Sequence, residues 1–343
     1  MEILKDFDLT KFNTLGVKSQ AKEFVEINNE EDLKEFFSSK ELNQKSKVFL
    51  GGGSNILFTK DFDGVVVLNK LKGIQILEEN DTYVLVRSMS GVGWHDLVCF
   101  VVDRGYWGIE NLALIPGTVG GAPVQNIGAY GVELKDTLEN VEAYNSTEGT
   151  KKVFLKNECE FGYRESVFKS RLKGQYFISA ITLKLNKKEN KNISYKILED
   201  YLNQNQIKIN SPKDVSDAVS AIRRSKLPDP KFIGNAGSFF KNVFIEEEKF
   251  NTLILSFPDL KYFKEGNKIK IPSAWLIESC GPSEGTSWKG YRIGNIGVHE
   301  KHALVLVNYG GGNGEDIKKL SDDIIQSVFV KFGVRLIPEV NFI

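Results

Sequence analysis

Runs of bare backbone and a few isolated charged or hydroxyl groups are the parts of this chain that could do chemistry. Gly51-Gly52-Gly53-Ser54-Asn55 follows directly on the strand-like run Lys47–Leu50. Successive N–H groups with no side chains in the way can converge on one anion, so the stretch suits a phosphate cradle, with a tight turn between strands as the alternative. The dinucleotide pattern G-x-G-x-x-G breaks at Ile56, and G-x-x-x-x-G-K-[ST] occurs nowhere.

Residues 108–131, GIENLALIPGTVGGAPVQNIGAYG, carry six glycines, two prolines, no lysine or arginine and one acid, Glu110. A surface loop would be expected to hold charge. This composition instead suits main chain pressed against something large and flat, or else a buried turn between helices. The charged candidates are more scattered. Tyr163-Arg164 ends an aromatic-rich run, and an isolated pair of this kind is usually a surface contact. Arg223, Arg224 and Lys226 close an amphipathic helix, where they either complement its C-terminus or face an anionic ligand. Gly234–Asn242 is small and polar, then doubly aromatic and cationic, with Ser238 as a reactive hydroxyl or simply a helix cap. Glu339 lies in an apolar terminal run and must reach solvent or find a partner.

Elements that must position these groups follow from pattern. Short strands are expected at 23–27, 47–50, 65–68, 73–77, 83–88, 138–144, 152–155, 176–185 and 303–308, with a last strand over 335–343. Helices are expected at 30–39, 94–103, 193–202, from Ser211-Pro212 to Lys226, 246–255, 273–279 and 315–332, the last ended by Gly333. Pro228-Asp229-Pro230 is the best domain boundary.

Composition bounds the class. The chain has 343 residues, enough for two or three domains, with 41% hydrophobic and 26% charged residues and zero formal net charge. No basic excess marks a nucleic-acid partner, and no apolar run approaches the roughly 20 residues a membrane helix needs. The first 17 residues interleave charge with apolar side chains and have no signal-peptide core. Cys99, Cys159 and Cys280 are scattered and lack metal-ligand spacing, so no metal and a reducing cytoplasm are expected.

Taken together, GGGSN, IPGTVGGAPVQNIGAYG, YRES, KLPDP-x4-GNAGSFFKN and the terminal PEV resemble the UDP-N-acetylenolpyruvoylglucosamine reductase family, in the family's order from about Phe12 to the C-terminus. GNAGSFFKN is highly specific; GGGSN alone is weak. The resemblance implies an α+β protein of three domains. Residues 1–71 plus 335–343 and residues 72–227 would form a vanillyl-alcohol-oxidase-like FAD-binding unit, not a Rossmann fold, and 228–334 would bind substrate.

By the same resemblance FAD lies, without covalent attachment, against Gly51, Gly52, Gly53, Ser54, Asn55, Ile56, Gly117, Thr118, Gly120, Gly121, Ala122, Asn126, Gly128, Ile178 and Arg223. The glycine-rich stretch would meet it through backbone donors. Tyr163, Tyr195, Lys226, Asn242 and His302 would grip the UDP-sugar, with His302 where the family suggests a glutamine and Tyr195 marking the subgroup with a tyrosine-bearing loop over the substrate. Arg164, Ser238 and Glu339 match the catalytic residues. NADPH as donor is implied by resemblance alone. Hydride delivery from flavin N5 to C3 of the enolpyruvyl group leaves negative charge at C2 and on the carboxylate. An arginine and a protonated carboxyl can stabilise that charge, and a hydroxyl held in reach can protonate C2. The implied protein is a monomeric cytoplasmic enzyme of peptidoglycan synthesis. Two other classes compete: a flavin oxidase using oxygen, disfavoured by Ser238 and Lys226, and a non-catalytic flavin- or nucleotide-binding protein, disfavoured by the joint presence of Arg164, Ser238 and Glu339.

Overall fold

A computed structural model describes all 343 residues. Its contacts divide the chain into two units. Unit 1 comprises residues 1–7, 21–53 and 62–225, and unit 2 comprises 8–20, 54–61 and 226–343. The chain is α+β, with mixed helices and strands in both units.

Unit 1 contains two sheets. In the first, Gln20–Ile27 and Lys47–Leu50 both pair in parallel with Phe62–Asn69, and Ile3–Asp8 forms the outer edge. Parallel neighbours need a crossover, and helix Glu30–Ser38 supplies it. Asn29 starts that helix by accepting from the Asp32 N–H at 2.9 Å. The second sheet is antiparallel, in the order Lys151–Leu155, Leu138–Asn145, Tyr176–Asn186, Tyr83–Met89, Ile74–Glu79. Its central strand, Tyr176–Asn186, reads as a near-continuous apolar run because both of its faces are covered. Helices Trp94–Val102 and Pro212–Lys226 contribute Leu97, Val98, Val215 and Val219 to the same core as Val86, Ile181 and Leu183.

Unit 2 has a four-stranded antiparallel sheet in the order Gly234–Asn235, Leu306–Asn308, Ile296–Val298, Arg292–Ile293. A three-stranded sheet is ordered Val243–Ile245, Lys268–Ile271, Phe263–Glu265. The long helix Gly314–Phe332 packs its 3.6-residue stripe Ile317, Leu320, Ile324 and Val328 into the core. Asn313 caps it, and Gly333 ends it at φ +63°. Asn341–Phe342 pairs in parallel with Ile56–Leu57, so the end of the chain joins an early segment.

Three expected elements differ most. The helix expected over 193–202 is Lys196–Gln204, the strand expected over 303–308 is only Leu306–Asn308, and the strand expected over 335–343 shrinks to Asn341–Phe342 with one bridge, Phe240 to Pro338. No helix is long and apolar enough to cross a membrane.

Candidate active site

In unit 1 the expected flavin contacts Gly51, Thr118, Gly120, Gly121 and Ile178 line one slot of about 100 Å³, beside Asn69 and the rings of Phe49 and Tyr176. The reason for the glycines is local. A Cβ on Gly51 would stand 2.3 Å from Thr118 Oγ1, one on Gly52 would stand 2.9 Å from Gly117 Cα, and one on Gly120 would stand 2.7 Å from Ser90 Cβ. Bare backbone here lets two loops close on each other and on Ser90. Gly121 alone of these opens on free space.

The N–H groups of Val119, Gly120, Gly121 and Ala122 all donate within the chain, to Val92, Ser90, Thr118 and Val119. The stretch therefore offers a flavin an uncluttered surface and not these backbone donors, which corrects the expectation from sequence. Arg223 supplies polar capacity instead. Its Nε is sealed from solvent and has no hydrogen-bond partner. Burial chiefly pushes this guanidinium below its ordinary pKa; Arg164 pushes the same way and Tyr130 opposes it. The slot, with Gly121 open toward it, fits part of a ring system, and the unsatisfied Arg223 Nε elsewhere in unit 1 fits an acceptor atom; FAD would present both.

Arg164 is built into the neighbouring turn at φ +53°. Its Nη2 donates to the Gly128 carbonyl, and its Nη1 lies 3.4 Å from the Asn126 carbonyl. A Cβ on Gly128 would fall 2.9 Å from Nη1, so the glycine is fitted to the arginine. Asn126, buried and at φ +44°, donates to Glu133 Oε2 and the Gly162 carbonyl, each at 3.0 Å, and accepts from Lys135 N–H. Its amide is thus committed to holding the Arg164 turn on the hairpin Gly128–Ala129/Val132–Glu133. The Tyr163 ring centroid lies 5.6 Å from the Arg164 guanidinium carbon, a cation–π contact.

In unit 2 the backbone joins the other expected catalytic residues. Glu339 N–H donates to the Phe239 carbonyl at 2.8 Å, and Lys241 N–H donates to Ile337 at 2.9 Å, so Ser238–Lys241 runs antiparallel to the Glu339 segment. Ser238 immediately precedes the residue bonded to Glu339. Asn55 approaches the same segment: its Nδ2 lies 3.4 Å from the Glu339 carbonyl, and its own carbonyl accepts from Asn341. The GGGSN motif is accordingly divided, Gly51–Gly53 counting with unit 1 and Ser54-Asn55-Ile56 with unit 2.

Asn242 Oδ1 accepts from Ser273 N–H at 3.1 Å, which leaves its amide N–H₂ available for a ligand. Phe239 N–H donates to Leu304 O at 2.7 Å, tying the Ser238 segment to the His302 turn. His302 Nδ1 accepts from Leu304 N–H at 3.3 Å. Burial chiefly holds its pKa below the ordinary value, with Glu278 opposing and nearby Lys226 reinforcing the effect. A neutral ring accepting at Nδ1 carries its proton on Nε2 and keeps one donor, as a glutamine amide would.

Tyr195 begins helix Lys196–Gln204, and its ring meets Tyr130 edge-on at 5.6 Å and 80°. The pattern reading did not single out Tyr130, Asn111 or Asn192, though Tyr130-Gly131, at φ +49° and +82°, has the turn chemistry of a two-residue hairpin. A cavity of about 1240 Å³ lies in unit 2 between the 281–296 meander and helix Gly314–Phe332, and none of the expected site residues line it.

Comparison with known proteins identifies the family. Residues 21–153 match the family model of an FAD binding domain, and residues 229–343 match that of the UDP-N-acetylenolpyruvoylglucosamine reductase C-terminal domain. The chain is 45% identical over 345 residues to the UDP-N-acetylenolpyruvoylglucosamine reductase of Flavobacterium johnsoniae and 44% identical over 344 residues to that of Amoebophilus asiaticus, all of each chain being covered. The solved UDP-N-acetylenolpyruvylglucosamine reductase of Thermus caldophilus superposes with a TM-score of 0.66 at 23% identity, over 99% of this chain and 98% of that one. The chain belongs to the UDP-N-acetylenolpyruvoylglucosamine reductase family.

Proposed function

We propose that this protein reduces the enolpyruvyl group of UDP-N-acetylglucosamine enolpyruvate to give UDP-N-acetylmuramate for peptidoglycan synthesis. NADPH is the donor and FAD is held without a covalent bond. The observation that carries the reading is the pairing of the Ser238–Lys241 segment with Glu339, which brings together backbone segments bearing a hydroxyl and a carboxyl residue about 100 positions apart in unit 2.

Bound FAD would supply the hydride that reaches C3 of the substrate. The chain's own residues manage charge and proton. Arg164 polarises the substrate carboxylate, Glu339 assists it, and Ser238 delivers its hydroxyl proton to C2. Arg223 and the slot beside Gly121 hold the cofactor. Asn242, His302 and Lys226 bind the sugar nucleotide, Lys226 as a point charge suited to the diphosphate. The three-domain division, the vanillyl-alcohol-oxidase-like arrangement, a monomeric state and a cytoplasmic location belong to the same proposal.

The purified protein should be yellow, bleach anaerobically with NADPH and regain colour when the enolpyruvyl sugar nucleotide is added. Fast recovery in air alone would make it an oxidase. A protein that no donor bleaches would be a flavin- or nucleotide-binding protein.

A further inference from the structure

Segment 187–195 carries Tyr195, and the structure shows what holds it. Asn111 is fully buried, yet its side chain serves neither slot nor helix. Its Nδ2 bridges two backbone carbonyls, Tyr130 O at 2.9 Å and Asn192 O at 2.7 Å. Asn192 answers from the other side, its Nδ2 donating to Gly131 O at 3.2 Å, while its Oδ1 accepts from Ser194. Two hydrogen bonds therefore pin residue 192, to Asn111 and to Gly131, 81 and 61 positions away in the chain, and a third ties Asn111 to the hairpin tip at Tyr130.

The hairpin tip is shaped to receive it. Tyr130 occupies a left-handed conformation that Asn or Gly would fill more readily, and its ring stands against that of Tyr195. A tyrosine kept at such a position is held there by what surrounds it. We propose that Asn111 and Asn192 are positioning residues, a clasp that holds the tyrosine-bearing segment closed on the Tyr130 hairpin before any ligand arrives. Its bearing on the sugar nucleotide rests on the function proposed above. The clasp spares the sugar nucleotide the cost of ordering this segment when it binds.

The test uses the FAD-loaded protein. Lys187, Lys188 and Lys191 make the segment a trypsin substrate whenever it opens. Asn192→Asp removes the donor to Gly131 while leaving the acceptor for Ser194, and Asn111→Asp replaces a bridge between two carbonyls with repulsion. Asn192 is the half-buried site, so that variant keeps the test valid if Asn111→Asp does not fold. The clasp predicts cleavage within 187–191 about tenfold faster in Asn192→Asp, and affinity for the UDP-sugar lower by about five- to tenfold with the rate of NADPH bleaching unchanged. Unchanged cleavage overturns the clasp. Faster cleavage with unchanged UDP-sugar affinity overturns its positioning role. If the parent protein binds no UDP-sugar, the function proposed above fails, and cleavage alone then decides whether the clasp exists.

Discussion

Gly128 and Arg164 are fitted to each other: the glycine carbonyl accepts from Nη2, and the space its missing Cβ would fill holds Nη1, 2.9 Å away. Gly128 lies outside the left-handed region, so its bareness serves close packing, against the arginine and also against Glu133 Cγ and the Val132 carbonyl, each 3.0 Å from where a Cβ would stand. Asn126, two residues earlier, spends its whole amide on the same turn. The glycine-rich stretch thus does two jobs, lining the slot beside Ile178 with residues 118–121 and aiming Arg164 with residues 126–128.

Gly128→Ala tests the second job. The backbone conformation tolerates alanine, but the new Cβ would meet Glu133 Cγ and the Val132 carbonyl at 3.0 Å as well as the guanidinium, so the thermal midpoint should fall by several degrees. Displacing the guanidinium should slow flavin reoxidation by the enolpyruvyl substrate by about 10- to 100-fold while bleaching by NADPH stays normal. Stopped-flow measurement of the two half-reactions decides it, and equal rates in variant and parent would mean that Gly128 does not place Arg164.

Gly120 and Gly121 should part company. A side chain at Gly120 meets Ser90, whereas one at Gly121 enters open space in the slot. Gly120→Val is expected to lose about 1–3 kcal/mol of stability through overpacking. Gly121→Val is expected to fold with nearly unchanged stability and to purify with less FAD. The ratio of flavin to protein absorbance, read beside a melting curve, separates the two; a fully yellow Gly121→Val would mean that the slot does not hold the flavin.

His302 should be replaceable by the residue it stands in for. Because burial depresses its pKa, the ring protonates at a lower pH than an ordinary histidine and keeps its Nδ1 acceptor for the Leu304 N–H further into acid. His302→Gln should keep the KM for the sugar nucleotide within about threefold, and His302→Leu should raise it about tenfold through one lost hydrogen bond. Any acid-side rise in KM in the parent should therefore begin at a lower pH than an ordinary histidine would give. A sharp rise in KM below pH 7 would show instead that the ring protonates in that range.

Acid stability should depend on Glu142. Arg87 grips it with two bonds, one of 2.8 Å, and Lys151 adds another at 2.7 Å. Arg87 above all lowers this carboxyl from its ordinary 4.5 to about 2. A depressed folded pKa means the contribution is present above pH 4.5 and fades as pH falls toward 2. The pair is partly solvated, so Glu142→Gln should cost about 1–2 kcal/mol at neutral pH and flatten the loss of stability over that window. Denaturant unfolding at pH 7 and pH 3 checks it: a cost that is the same at both would rule out the carboxylate as its source.

Much of the fold was legible because its signals are local. The stripe Ile317, Leu320, Ile324, Val328 with Gly333 behind it marks a helix wherever it occurs, and Lys47–Leu50 appears as read. What failed depended on distant partners. Residues 192–195 stay extended because Asn192 is bonded to Asn111 and Gly131, so the helix waits until Lys196. Residues 335–340 are not a full strand partly because Pro338 has no N–H to give a ladder. At the site, the residue types were legible but their reasons were not. A glycine in sequence does not reveal whether its bare face meets open space, as at Gly121, or another loop, as at Gly51 and Gly52.

The central claim is that Ser238 carries the proton to C2, and Ser238→Ala tests it most directly. In anaerobic stopped flow the variant should be bleached by NADPH at the parent's rate and then regain colour with the enolpyruvyl sugar nucleotide more slowly by a factor of at least about 10² to 10⁴. Reoxidation at the parent's rate, or equal loss of both half-reactions, would contradict the assignment.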